Sequence, residues 1–261
     1  MQASIELDDR PALHYLLRIG DTCLIHAQRL AEWCGHAPIL EEDIALSNMA
    51  LDLLGQARAV LAHAGAVEGG GHDEDQLAFL RDERDYRNPS LVELPGGPRD
   101  GDFAHTMLRC AMVATLLKLL WERLADSGDA ELAAIAGKAV KEARYHEQHA
   151  GDWVVRLGLG TEESRRRSVA ALAALWPYVE ELFDDDAIDA AAEAQGLGPR
   201  WSSLREAWMS RMQSLLDEAG LAMPQSTAFR STGKRGVHTE HMGRMLAEMQ
   251  HLQRAFPGGV W

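Results

Sequence analysis

Four long stretches of this chain are free of internal proline, carry apolar residues at helical spacing, and fall as two pairs on either side of a proline-rich connection. In the first stretch Leu13, Leu16, Leu17, Leu24, Ala27, Leu30 and Ala31 recur with the period of a helix, from Pro11, which suits a first helical turn, to about Trp33. Gly35-His36-Ala37-Pro38 stops it, and Glu41-Glu42-Asp43 opens a second helix that runs to about Ala64 and closes at Gly69-Gly70-Gly71. A short helix is predicted over 73–85. The segment 88–100 holds three prolines and reads as a loop. Two more long helices follow, about Phe103 to Ala125 and Ala130 to Leu157, broken from one another by Ser127-Gly128-Asp129.

Beyond Gly158-Leu159-Gly160 the pattern is shorter. Thr161-Glu162-Glu163 caps a helix reaching about Phe183 with a kink at Pro177, Asp184-Asp185-Asp186 starts a short piece, and 201–219 is helical. Residues 223–236 are irregular, and a last helix covers about 238–255. No period-2 alternation, phosphate-binding glycine loop or internal repeat is present. Two helical hairpins joined by a crossover predict an all-α chain, a ferritin-like four-helix bundle with additional C-terminal helices. The expected organisation is one domain over 1–261, with the core bundle at about 11–157 and the C-terminal helices at about 161–255.

Composition narrows the function classes. Forty acidic residues against 26 basic give a net charge of −14, which argues against a nucleic-acid partner. The basic run Arg165-Arg166-Arg167 reads as a solvated helix start. No apolar run approaches the roughly 18 residues of a membrane span, and the acidic N-terminal segment lacks a signal-peptide core, so no membrane partner and a cytoplasmic location are expected. Cys23, Cys34 and Cys110 are odd in number, form no CxxC pair and sit in apolar helical contexts, which predicts buried free thiols.

Ferritin-like bundles often hold two irons, ligated by a Glu from each of two helices and a Glu-x-x-His from each of the others. The chain has one such motif, Glu248–His251, on the last predicted helix and outside the core. Asp102–His105 sits at a helix start, where Asp is an ordinary cap. His238 and His241 with Glu240 lack a third convergent ligand. Where ligands belong, the second helix reads Asp52-Leu53-Leu54-Gly55-Gln56 and the fourth reads Lys141-Glu142-Ala143-Arg144-Tyr145-His146. Glu142 and His146 share a face, and a plain hydrogen bond between them is the structural alternative to a ligand role.

Several stretches carry a resemblance. Gly20-Asp21, Arg29-Leu-Ala-Glu-Trp-Cys-Gly-His-Ala-Pro38, Leu51-Asp-Leu-Leu-Gly-Gln-Ala-Arg58, Arg81-Asp-Glu-Arg84, Lys141-Glu-Ala-Arg-Tyr-His146, Gly233-Lys-Arg-Gly-Val-His-Thr-Glu-His241 and Met245-Leu-Ala-Glu-Met-Gln250 closely resemble the non-catalytic, structural subunit family of ring-1,2-phenylacetyl-CoA epoxidase, a bacterial multicomponent monooxygenase. The likeness runs from about Leu13 to Trp261. It implies a ferritin-like fold and a paralogous catalytic partner that carries the diiron centre and inserts one atom of O2 into the ring of phenylacetyl-CoA. It also implies a reductase with FAD and an iron–sulfur cluster drawing on NADPH, a role in aerobic phenylacetate degradation, and no cofactor in this chain. Other epoxidase subunits, and self-association, are further expected partners.

The catalytic paralogue of that family reads Asp-Glu-Leu-Gly-His and Lys-Glu-Glu-Ser-Phe-His at the two segments. On that register Leu53 and Ala143 stand at ligand-glutamate positions, Gln56 stands at a ligand-histidine position, and His146 alone survives. Each missing carboxylate also removes charge that would offset iron. Asp21, Asp52, Glu142, Arg144 and His146 are the candidates for a buried polar network in place of the metal. Lys234 and Arg235 are candidates for a partner or CoA-phosphate contact, with an ordinary exposed loop as the alternative. The alternative function is a catalytically active diiron oxidase or oxygenase in its own right; a stand-alone ligand-binding bundle is the third. With the clearest ligand-Glu positions lost, the acidic excess is expected mostly on the surface.

Overall fold

The computed structural model describes residues 4–99 and 101–259, so Asp100, the last residue of the predicted loop, and Trp261 lie outside the described residues. The four long helices form where the sequence places them: α1 Pro11–Ala31, α2 Leu40–Glu68, α4 Phe103–Leu124 and α5 Ala130–Gly158, with the short α3 Glu74–Phe79 between the pairs. Pro11 occupies the first turn of α1. Gly69 ends α2 in the left-handed conformation (φ 70°) that glycine adopts without steric cost, four residues later than the apolar pattern suggested. Asp73 and Gln76 close a capping box on α3, while Asp102 and Asp129 cap α4 and α5 through the amides of His105 and Leu132. Among the described residues the only β-pairing is an isolated bridge between Thr232 and Val237.

α1 packs along α2, α4 packs along α5, and α2 lies beside α5, which makes the ferritin-like bundle. The C-terminal elements are α6 Glu162–Leu175, α7 Val179–Leu182, α8 Ala187–Ala194, α9 Arg205–Glu218, α10 Glu240–Met249 and α11 His251–Ala255. α8 lies on α1, whereas α6 and α9 lie on α4 and α5. These layers bury α1 and α4 on every side. Pro177 falls in a 3-10 turn, Trp176–Tyr178, that splits the predicted helix into α6 and α7. Trp201 and Trp208 are core residues, with Trp208 Nε1 donating to the Met112 carbonyl at 2.9 Å.

Two expectations are corrected. Cys34 is exposed, because α1 ends at Ala31 and leaves it in a turn, while Cys23 and Cys110 are buried free thiols. α4 is, by length and composition, apolar enough to cross a membrane; 89% of its most apolar stretch is buried inside the fold, as a central bundle helix must be. The buried acidic side chains are Asp21, Glu42, Glu68, Glu93, Glu181 and Asp189, so most of the 40 acidic residues lie partly or fully at the surface.

Candidate functional site: the centre of the bundle

Among the described residues Gln56 hydrogen-bonds to all three other long helices. It is 4% exposed on α2. Its Oε1 accepts from Trp121 Nε1 on α4 at 3.2 Å and from Cys23 Sγ on α1 at 3.7 Å, and its Nε2 donates to Glu142 Oε2 on α5 at 2.9 Å. A primary amide offers both acceptor and donor capacity, so it serves an indole, a thiol and a carboxylate together. One turn away Asp52 Oδ2 lies 3.0 Å from His146 Nε2. Burial lowers the His146 pKa more than Asp52 and Glu142 raise it. The neutral ring therefore donates Nε2–H to Asp52.

The seam between α2 and α5 continues in the same chemistry. Glu42 meets His149 at 2.9 Å near one end, and His63 meets Asp129 at 2.8 Å at the other. Four polar pairs thus fix the antiparallel register of the two helices that would carry Glu-x-x-His motifs in a diiron bundle. Leu53 and Ala143, at the expected glutamate positions, are 1% and 2% exposed and belong to the apolar core. At the four positions expected from the resemblance, two side chains are hydrocarbon, a third is an amide, and the His146 imidazole is committed to Asp52. Among the described residues no group of three or more His, Cys, Asp or Glu side chains is arranged to hold a metal ion.

His26 on α1 is 2% exposed, and its Nδ1 has no hydrogen-bond partner among the described residues. Burial, then the charges of Arg109 and His146, hold its pKa well below the ordinary histidine value, so it is a neutral ring in the core. The sequence reading missed both His26 and the hub role of Gln56. No local signal announced the burial of His26, because it shares a helical stripe with Arg18, Thr22 and Arg29, polar residues that the C-terminal layers and the inter-hairpin segment bury as well.

The remaining expected network residues lie elsewhere. Asp21 is fully buried and forms a two-pronged ion pair with Arg81; its Oδ2 also accepts the Arg87 amide at 2.8 Å. Arg81 stacks on Tyr86 at 4.3 Å, and Gln250 donates to both the Arg81 carbonyl and the Tyr86 hydroxyl at 3.0 Å. Asp21 therefore ties α1 to the inter-hairpin segment and the C-terminal helices. Arg144 is exposed and pairs with Glu122 at 3.2 Å, outside any buried network.

Lys234 departs from the expected surface contact. It is 2% exposed, its Nζ donates to the Asp184 carbonyl at 2.9 Å, and it sits 5.1 Å over the Trp201 ring. Burial and the Arg18 charge lower its pKa to about 8. It closes a cluster in which Arg18 on α1 bonds Asp186 and Asp189 of α8 at 2.8 Å each. Arg235 is half exposed and pairs with Asp184 at 2.9 Å. The Glu248–His251 motif and His241 lie at the surface, while His238 is buried against Glu93 at 3.4 Å. A surface cleft of about 270 Å³ near the end of α1 holds Arg29 and Arg244, which face Glu32 and Glu248, so its charges are largely met from within.

The family model described as "Phenylacetic acid catabolic protein" matches residues 1–261. The chain belongs to the phenylacetic acid catabolic protein family. Within that family it is 49% identical over 247 residues to a subunit of the 1,2-phenylacetyl-CoA epoxidase of Escherichia coli (strain K12), an alignment covering 95% of this chain and 98% of the relative. The family's ferritin-like fold agrees with the bundle seen here.

Proposed function

We propose that this chain is the non-catalytic, structural subunit of a phenylacetyl-CoA 1,2-epoxidase, pairing with and supporting a paralogous catalytic subunit in aerobic phenylacetate degradation in the cytoplasm. The single observation that carries the non-catalytic part is the centre of the bundle. Leu53 and Ala143 are packed hydrocarbon where carboxylates would be needed, and Gln56 spends its amide on Trp121, Cys23 and Glu142. A diiron bundle concentrates carboxylates there to offset the metal charge; this one joins its helices by neutral and singly charged hydrogen bonds. The epoxidase part is supported by the 49% identity to a named epoxidase subunit over nearly the whole of both chains. On this reading iron belongs to the catalytic partner, FAD and the iron–sulfur cluster belong to the reductase partner, and this chain contributes shape and surface.

Co-expression with the catalytic paralogue, pull-down, and a phenylacetyl-CoA epoxidation assay with and without this chain test the proposal. The expected result is co-purification, activity that depends on the pair, and less than about one iron per ten copies of this chain purified alone. Stoichiometric iron and oxygenase activity in the isolated chain would establish instead a diiron oxygenase in its own right.

A further inference from the structure

We infer that the guanidinium of Arg109 is the recognition group of an oxyanion site, reached from the neighbouring cleft when the Pro95–Pro98 turn lifts off it. The site is built from this chain alone and goes beyond the proposed function.

Three arginines are wholly buried: Arg18, Arg81 and Arg109. Arg18 is paired with Asp186 and Asp189, and Arg81 with Asp21. Arg109, on α4, has no carboxylate partner among the described residues; its Nη1 donates to the Leu94 carbonyl, and its Nε and Nη2 have no hydrogen-bond partner. Nε–H and the Nη2–H beside it form one edge of the guanidinium. Two parallel donors on that edge match two oxygens carried by one atom, the geometry of a phosphate or a carboxylate. A buried cation left without a counter-charge is costly, so a fold that keeps one calls for a reason. Burial, with the charge of Arg29 adding to it, lowers the Arg109 pKa to about 10, which still leaves it a cation at neutral pH.

Its surroundings offer donors and no free anion. His105, one turn earlier on α4, and His26 on α1 each have an unpartnered Nδ1. Burial and then the Arg109 charge keep both rings neutral, and a neutral ring can carry its proton on Nδ1 and donate. The nearby carboxylates are engaged elsewhere. Glu32 pairs with Arg29, Glu93 with His238 at 3.4 Å and Glu248 with Arg244 at 3.7 Å, while Asp102 Oδ1 accepts the His105 amide at 2.9 Å.

The turn separates this fork from the cleft. A Cβ on Gly96 would lie 2.7 Å from His105 Nδ1 and 3.1 and 3.2 Å from Arg109 Nη1 and Nη2, so the turn rests directly on the guanidinium and only glycine permits the approach. Its neighbours Pro95, Gly97 and Pro98 line the cleft of about 270 Å³ together with Arg29 and Arg244. One short turn thus presents one side to the cleft and the other to Arg109. Leu94 belongs to the apolar core, but no side chain of 95–98 does. The polar ties are the Leu94 carbonyl on Arg109 and the Gly96 carbonyl, which accepts from Thr106 Oγ1 at 2.5 Å. A segment with so few apolar contacts opens at low cost, and an oxyanion on the fork supplies the counter-charge that the closed form lacks. The cleft has room for an anionic head group, at the small end of ligand pockets.

Calorimetric titration of the full-length chain with inorganic phosphate and with acetate, at an ionic strength fixed with chloride, tests the assignment. The melting temperature of each variant shows that it is folded. An oxyanion is expected to bind where further chloride gives no heat; preference for phosphate marks a phosphorylated ligand, and preference for acetate marks a carboxylate. Arg109→Met is expected to weaken binding about tenfold or more, and so is Arg109→Lys, which keeps the charge but not the fork. Arg166→Gln on the exposed side of α6 leaves binding unchanged. Gly96→Ala, whose Cβ competes with the closed turn, is expected to strengthen it severalfold. Bound oxyanion should also speed hydrogen exchange at the Gly96 and Gly97 amides. No binding of either oxyanion, or binding that survives both Arg109 variants, overturns the site. Binding that leaves exchange at Gly96 and Gly97 unchanged and is indifferent to Gly96→Ala overturns the lifting turn.

Discussion

His146 on α5 and Asp52 on α2 hold each other across the bundle, Nε2 to Oδ2 at 3.0 Å, one turn from the Gln56 hub. The imidazole is 3% exposed and the carboxylate 38%, so the pair stands at the rim of the bundle with the charge on the wet side. Burial lowers the His146 pKa and so keeps the ring a neutral donor. A charge-assisted hydrogen bond of this kind fixes the ring and couples two helices that otherwise meet mostly through the seam.

Asp52→Ala removes the acceptor and leaves a mostly buried N–H facing partial solvent. Water reaches the Asp52 side of the pair, so the loss is modest, about 1–2 kcal/mol. Thermal unfolding should show a fall of roughly 2–8 °C, since 1 kcal/mol shifts a chain of this size by about 2–4 °C. An unchanged melting temperature would mean that the pair adds nothing to the register of α2 and α5.

Gln56 makes a sharper case. Gln56→Leu keeps the volume but strands the Trp121 indole N–H and removes the donor to Glu142, at a cost of about 2–3 kcal/mol. Gln56→Glu puts a second carboxylate beside Glu142. Two close carboxylates do not both ionise without cost, so the pKa of the introduced acid rises. Its stability deficit against wild type is then small below the ordinary carboxylate range and grows as pH rises through the raised value. Denaturant midpoints of the two chains at pH 5 and pH 8 check the sign; a deficit independent of pH would remove charge as the reason for an amide here.

The Asp21–Arg81 pair lies wholly inside, both side chains at 0% exposure. Asp21→Ala leaves an uncompensated buried guanidinium, expected to cost about 3–5 kcal/mol. Replacing both partners, Asp21→Leu with Arg81→Met, should cost less than the single change, because no charge is then left alone. Chemical denaturation of the three proteins decides. The single variant should also be cut faster by protease near residues 250–254, which Arg81 holds through its carbonyl.

The helices were legible because their ends are punctuated. Pro11, Gly69, Asp73, Asp102, Asp129 and Thr161 each act locally, through a fixed φ, a left-handed cap or a side-chain cap. Leu53 and Ala143 were read only as ligand positions without a carboxylate; the structure buries both in the apolar core, on the inward face of their helices. Gln56 was read only as a missing ligand, since Cys23, Trp121 and Glu142 converge on it from positions 33 to 86 residues away. Lys234 was misread for a similar reason. Gly-Lys-Arg-Gly has the composition of an exposed loop, and nothing near it in sequence announces that Glu181, Asp184, Asp189 and Trp201 will enclose it. Asp21 and Arg144 were placed on the right helices, but on faces that turn toward other neighbours.

His26, His105 and His146 together make the fold sensitive to acid. All three have folded pKa values below the ordinary 6.5 because burial disfavours the imidazolium; His105 is lowered to about 4. Below pH 6.5 the unfolded chain therefore binds protons that the folded chain refuses, and stability falls as pH drops from 6.5 toward each folded value. Each such histidine contributes up to about 1.4 kcal/mol per pH unit in that window. His238 has the opposite sign: although burial lowers it, the hydrogen bond and charge of Glu93 raise it overall, so its contribution is full below 6.5 and lost as pH rises through the folded value. His14 is lowered as well, and His26, where the charges of Arg109 and His146 add to burial, is held well below the ordinary value. His26→Gln keeps a polar side chain of similar size without a titrating group, and it should reduce the loss between pH 6.5 and 5.0 by up to about 2 kcal/mol. Melting temperatures of both proteins across pH 5.0–7.5 measure this. Parallel curves would show that His26 is protonated in the folded chain and that its burial does not set the acid limit.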